Sequence, residues 1–189
     1  MQIVLDVSEF QSVAQLDQLL TNADDEIVGV YIKATQGLTY SDALAESFAG
    51  VCMKHKTAFG YYDFLTNDQI DQQQQAFKTL VSGLRDSPSL IPMLDAEGSY
   101  DKFADGVSHW VGAKLLYAQL SNMPKYGGLT VPKWVAQYDQ GGYYRPQPSE
   151  IAAYVKQGYA LWQWTDSYMG YNQDASVLLG SLSALKVVP

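Results

Sequence analysis

Two acids spaced two residues apart, Asp95 and Glu97, close a short apolar run, Leu90-Ile91-Pro92-Met93-Leu94. A run of that length between Pro88 and Gly98 reads as a buried strand rather than a helix. Strand side chains alternate faces, so Asp95 and Glu97 point the same way as Ile91 and Met93. Carboxylates emerging from a buried strand are costly unless something uses them, because desolvation disfavours the ionised form. Barrel enzymes keep paired acids at the carboxyl ends of parallel strands. The pattern alone leaves a structural alternative open, with Asp95 capping a following helix and Glu97 solvated. A third acid, Asp6, interrupts another apolar stretch, Gln2-Ile3-Val4-Leu5-Asp6-Val7-Ser8, and is unusual in mid-strand.

The elements that must position these acids follow from the periodicity. Strands are expected over residues 2–8, 27–34, 58–64, around 90–97, and over 113–119, 133–138, 160–165 and 174–179. Helical spacing is expected over 13–20, 41–56, 67–86, 101–111 and 150–155. The first half alternates strand and helix, which implies parallel pairing with right-handed crossovers, whereas the last third is mostly strands. A full eight-helix barrel needs about 250 residues, and this chain has 189. The expected fold is therefore α/β, a reduced TIM-like (β/α) barrel of about eight strands and five helices. It forms one domain over residues 1–189, without an internal repeat or linker. In a closed barrel the first and last strands are neighbours, which would set Asp6 beside Asp174. The Gly141-Gly142 and Pro146/Pro148 region reads as a surface loop.

Composition narrows the function. Hydrophobic residues make up 47% and charged residues 17%, which suits a compact core. The net charge of -8 argues against nucleic acid and against an anionic membrane surface. The single cysteine, Cys52, excludes an internal disulfide and reads as a small buried hydrophobe. No basic n-region or cleavage site follows Met1, and no apolar run approaches membrane-spanning length. The 14 tyrosines offer rings with polar tips, suited to sugars, although a barrel can also simply fill its layers with aromatics.

Seven blocks then occur in order: DVSEFQ at 6–11, IKATQG at 32–37, GYYDF at 60–64, PMLDAEG at 92–98, WVAQY at 134–138, WQWT at 162–165 and DAS at 174–176. Together they resemble glycoside hydrolase family 25, the Chalaropsis-type lysozymes, which include many phage endolysins. The resemblance implies a flattened barrel and cleavage of the β-1,4 bond between N-acetylmuramic acid and N-acetylglucosamine in peptidoglycan. By motif position, Glu97 resembles the catalytic acid and Asp95 its partner carboxylate. Asp6 and Asp174 match acids on the first and last strands. Tyr62, Tyr117, Trp134 and Tyr138 fall where the aromatic lining of the sugar cleft is expected. Two positions depart from the pattern: Asp63 stands where many members have histidine, and Gln36 where glutamate is common.

Glycosidic cleavage needs an acid for the leaving oxygen and a second group to stabilise the oxocarbenium-like centre. Four acids at one barrel mouth raise one another's pKa, and the least solvated keeps its proton. Glu97 is assigned that role. Asp95 either attacks directly or orients the substrate's own 2-acetamido oxygen, and the substrate-assisted route is favoured because the scissile sugar carries that group. Lys33 is expected to pair with a barrel acid. His55 and His109 read as surface or packing residues, and Trp162 and Trp164 as core. The four acids could hold a hard cation, but the aromatic surround favours sugar stacking, so no metal or cofactor is expected. A binding barrel without activity and a hydrolase of another acetamido-sugar polymer, such as chitin, are the competing readings. The absence of a leader points to a monomeric phage or prophage lysin, kept in the host cytoplasm until a holin releases it to the wall. The alternative is a trimmed piece of a secreted autolysin.

Overall fold

The computed structural model describes residues 1–97, 103–138 and 143–187. Gly98, the expected helix start at Asp101 and the Gly141-Gly142 turn lie outside these residues. Strands β1 (Gln2–Val7), β2 (Glu26–Gln36), β3 (Tyr40–Ser41), β4 (Ala58–Phe64), β5 (Met93–Asp95), β6 (Leu115–Gln119), β7 (Lys133–Ala136), β8 (Leu161–Thr165) and β9 (Asp174–Leu178) form one sheet. Its order is β1-β9-β8-β7-β6-β5-β4-β2-β3, and pairing of β1 with β2 closes eight strands into a barrel with β3 appended. Helices α1 (Val13–Asn22), α2 (Ala45–His55), α3 (Ile70–Gly83), α4 (Phe103–His109) and α5 (Pro148–Lys156) are the α-helices among the described residues. The reduced α/β barrel expected from the alternation is thus the observed architecture.

Seven barrel strands run parallel, as helical crossovers require, and β9 is antiparallel to both β8 and β1. The reversal has a local cause. Only a short 3-10 turn, Tyr168–Gly170, lies between β8 and β9, and a short connection brings the chain back antiparallel. Two expected elements are shorter than their apolar runs. Strand β5 begins only at Met93, after Pro92, which has no N–H for a sheet ladder. Helix α2 begins at Ala45 because Asp42 turns the chain first, accepting the Leu44 and Glu9 N–H groups at 2.8 and 2.7 Å.

The alternation of strand side chains sorts the apolar residues into two layers. Outward residues such as Ile3, Leu5, Ile32, Trp162 and Trp164 pack under the helices around Phe48, Phe77 and Trp110. Inward residues Val4, Tyr31, Met93, Leu115, Trp134, Leu161 and Leu178 fill the barrel. Leu185, just past β9, seals the end of the barrel where the parallel strands begin, and its carbonyl accepts the Ile91 N–H at 2.7 Å. Cys52 is fully buried in the helix layer, and burial pushes its thiol up to about 12.

Candidate active site

At the opposite end of the barrel, the inward positions one step further along five of the parallel strands are polar. Val4 is followed by Asp6, Tyr31 by Lys33, Met93 by Asp95, Leu115 by Tyr117 and Leu161 by Gln163. Because β9 runs in reverse, its first residue reaches the same rim, and Asp174 stands directly across from Asp6 in the β1–β9 register. Glu97 lies just beyond β5 and faces the same cleft as Asp95. Asp6, Asp95, Glu97 and Asp174 therefore meet in one cavity, with Tyr62, Tyr117 and Tyr138 on its walls.

The turn after β1 is built by its own motif. Gln11 folds back so that its Oε1 accepts the Ser8 N–H and hydroxyl, at 2.9 and 3.2 Å. That turn leaves the Phe10 ring at the cleft rim, 73% exposed. Trp134 is the sequence-assigned lining residue that the structure does not bring to the cleft. It is fully buried in the barrel filling, crosses Tyr31 and Tyr117 at ring distances of 5.3 and 5.5 Å, and donates its indole N–H to Ser176 Oγ at 2.8 Å. The reason is register: Trp134 pairs with Tyr117 but points inward beneath it, while Tyr138, beyond the end of β7, reaches the mouth.

Lys33 also differs from expectation. No carboxylate oxygen lies within ion-pair distance of its ammonium among the described residues. It donates to Gln36 Oε1 at 2.8 Å and sits 4.9 Å from the Phe64 ring centre and 5.3 Å from that of Tyr40. Burial lowers its pKa, and Asp95 opposes that. His55 binds Asp17 across α1 and α2 at 2.6 Å, a packing role.

Gln163, which the periodicity does not single out, joins the site. Its Nε2 donates to both Asp6 oxygens, at 3.1 and 3.2 Å. Its Oε1 accepts from the Tyr117 hydroxyl at 2.6 Å and the Tyr138 hydroxyl at 2.9 Å. The available signal was a glutamine between two tryptophans on a strand whose other members are apolar or Thr165.

Burial shapes the acid chemistry. Asp95 is raised well above the ordinary carboxylate range by burial, then by Glu97 and Asp6, with Lys33 opposing. Burial and the Asp174 charge raise Asp6, against the pull of Gln163. Asp174 is pushed up to about 6 by burial and by Asp166 and Glu97. Burial raises Glu97, with Tyr117 and Lys33 opposing. Behind the wall, Asp63 is wholly buried and pushed up to about 7 by burial. Thr35 donates to its Oδ1 at 2.6 Å, and its Oδ2 has no partner among the described residues. No group of three or more acid, histidine or cysteine side chains is arranged to hold a metal among the described residues. No helix among them is long and apolar enough to cross a membrane.

The cleft has a second lobe, lined by Gln119, Ser121 and Gln137. Glu97, Tyr117 and Tyr138 border both lobes. Glu97 thus stands at the junction of two adjoining pockets.

The model of glycosyl hydrolases family 25 matches residues 5–171. The chain belongs to that family. The family 25 chain is a glycoside hydrolase, and solved structures share its fold. A muramidase from Acremonium alcalophilum superposes with a TM-score of 0.72 at 19% identity, over 97% of this chain and 96% of that one. A muramidase from Trichobolus zukalii gives 0.70 at 23% identity, over 97% and 96%. The catalytic domain of an endolysin from a Listeria monocytogenes bacteriophage gives 0.69 at 22% identity, over 97% and 95%. A search among curated proteins finds no match.

Proposed function

We propose that this family 25 hydrolase is an N-acetylmuramidase. It cuts the β-1,4 bond between N-acetylmuramic acid and N-acetylglucosamine in bacterial peptidoglycan, with residues 1–189 forming one catalytic domain. The observation that carries the reading is the position of Glu97 where two sugar-sized lobes meet. Two adjacent sugars filling the lobes would lay their shared oxygen against this carboxyl. Burial raises Glu97, which favours the protonated form that a general acid needs.

Asp95 sits one strand position deeper, its Oδ1 without a partner among the described residues. In the substrate-assisted route it holds the N–H of the 2-acetamido group. The acetamido oxygen then attacks the anomeric carbon as the Glu97 proton passes to the leaving oxygen, which departs with the bonding electron pair. Glu97, now a carboxylate, takes a proton from the water that opens the ring intermediate. Asp6 and Asp174 line the wall beside the developing oxocarbenium ion, where whichever of the pair is ionised stabilises it. Tyr62, Tyr117 and Tyr138 supply ring faces and hydroxyls for the sugars. The word endolysin in the names of solved relatives supports a role in phage-driven lysis, and release by a holin is part of that proposal.

Turbidity loss and new reducing ends on Gram-positive walls, for wild type and Glu97→Gln, test the reading. Clearing by the wild type and a loss of about 10³-fold in the variant are expected. Clearing that persists in the variant would remove Glu97 from the acid role. Retention on walls without clearing by the wild type would make the barrel a binding module.

A further inference from the structure

Lys33 is 7% exposed, and its ammonium has one hydrogen-bond partner among the described residues, the neutral Gln36 amide oxygen at 2.8 Å. The faces of the Phe64 and Tyr40 rings, 4.9 and 5.3 Å away, stabilise the positive charge but offer it no lone pair. An ammonium has three N–H donors, so two are left. Asp95, Asp42 and Glu9 attract it from beyond ion-pair distance. A buried charge held in this way is costly unless a ligand meets it. Lys33 lines the acid lobe of the cleft, where a ligand can do so.

Strand order tells which part of a sugar this ammonium can reach. Around the barrel the strands run β7-β6-β5-β4-β2. The second lobe lies on the β6–β7 side, with Gln119 at the end of β6 and Gln137 just past β7, and Asp95 ends β5. Phe64 ends β4 and Lys33 lies on β2, so both flank the acid lobe on the side away from the second lobe. With a sugar placed as in the proposed reaction, C1 carries the leaving oxygen to Glu97, beside the second lobe, and the C2 amide meets Asp95. C3 follows C2 around the ring, away from C1. Its substituent is therefore directed across β4 toward Lys33.

We propose that Lys33 is a specificity-determining residue that binds the carboxyl end of the lactyl ether on O3 of N-acetylmuramic acid, the group that N-acetylglucosamine lacks. The proposal rests on the muramidase reading, with Asp95 at the acetamido group, and adds what selects the sugar. The lactyl carboxyl is either a free carboxylate or the amide carbonyl of an attached peptide. An ammonium donates to both, and more strongly to the charged one. Gln36 is neutral and leaves the ammonium's charge for the ligand, where a carboxylate in its place would neutralise it. A chitin chain has only a hydroxyl on C3, too short to reach across β4, and leaves the two buried donors unpaired.

The test compares two forms of one substrate. Peptidoglycan chains stripped of peptide by an amidase, with the lactyl carboxylate free, are set beside the same chains after chemical reduction of that carboxyl to an alcohol. The wild type should cleave the carboxylate form about tenfold faster or more in kcat/KM. Lys33→Met keeps an unbranched stem between the rings without the ammonium, and should remove the preference. Lys33→Gln reads the same point if Lys33→Met does not fold. A lysine that served only as a counter-charge to Asp95, or only in folding, would lower both rates together and leave their ratio in place. Equal cleavage of the two forms by the wild type overturns the proposal without any variant, and an unchanged ratio in a folded Lys33 variant overturns it as well. Chains that keep their peptides identify the acceptor. Cleavage as fast as that of the carboxylate form assigns the carbonyl oxygen, and cleavage as slow as that of the alcohol form assigns the charge. No new reducing ends from any of these chains with the wild type would overturn the muramidase reading itself, and this proposal with it, which is a distinguishable result.

Discussion

The two ends of the barrel interior are made by the same strands and differ by one inward step. Val4, Tyr31, Met93, Leu115 and Leu161 belong to the filling, and Asp6, Lys33, Asp95, Tyr117 and Gln163 belong to the cleft. In the lower half Trp134 closes a pair with Ser176, while the Tyr31 hydroxyl, buried in the filling, has no partner among the described residues. The upper half keeps four acids close together and leaves Asp95 Oδ1 without a partner among the described residues. Stability is stored in the first arrangement and spent in the second, where like charges and desolvation oppose folding so that protons can be held near neutral pH.

Substitutions should separate the halves. Trp134→Ala opens the largest cavity in the filling and should cost about 3–5 kcal/mol of folding free energy, read from urea denaturation. If the cost is small and turnover collapses instead, the division fails. Asp95→Asn should do the reverse, lowering wall cleavage about 10²-fold or more while raising the urea midpoint at neutral pH.

The pH dependence of stability tests the same contrast. Asp174 is pushed up to about 6 and Asp63 up to about 7, from an ordinary value of 3.8. A carboxyl with a raised folded pKa binds more protons when folded. Stability should therefore fall as pH rises from about 4 through 7, by on the order of 5 kcal/mol, and Asp63→Asn should remove about half of the fall. A midpoint that rises over that range would contradict the burial of these acids as neutral groups. Ser176→Ala orphans the Trp134 indole N–H and should cost about 1–2 kcal/mol without moving the pH profile of cleavage. The outer surface belongs to neither half. Breaking the exposed Lys54–Asp17 pair, 2.7 Å long, by Lys54→Ala should leave the urea midpoint essentially unmoved.

Much of this contrast is legible in the sequence because strand alternation is local. Asp6 two residues after Val4, and Asp95 two after Met93, announce polar groups on an otherwise apolar face. The meeting of Asp6 and Asp174 follows from barrel closure. What the periodicity does not carry is height along the axis. Trp134 and Tyr138 lie on one segment, and only the pairing of β6 with β7 decides which reaches the rim. The reversal of β9 depends on a connection too short for a helix, and Gln163 acquires its meaning from partners on three other strands or their extensions. The setting of Lys33 is non-local for a related reason: its neighbours are Gln36 at the end of β2, Tyr40 on β3 and Phe64 at the end of β4.

The reversed last strand also decides how the molecule can be tethered. Because β9 begins at the cleft, the chain leaves it at the far end, where Leu185 plugs the barrel and the Val187 N–H bonds the Ser89 carbonyl. Cargo or a surface linker attached beyond that point would hang from the face opposite the mouth. An immobilised enzyme anchored there would present its open side to a long polymer, free to slide through without meeting the support.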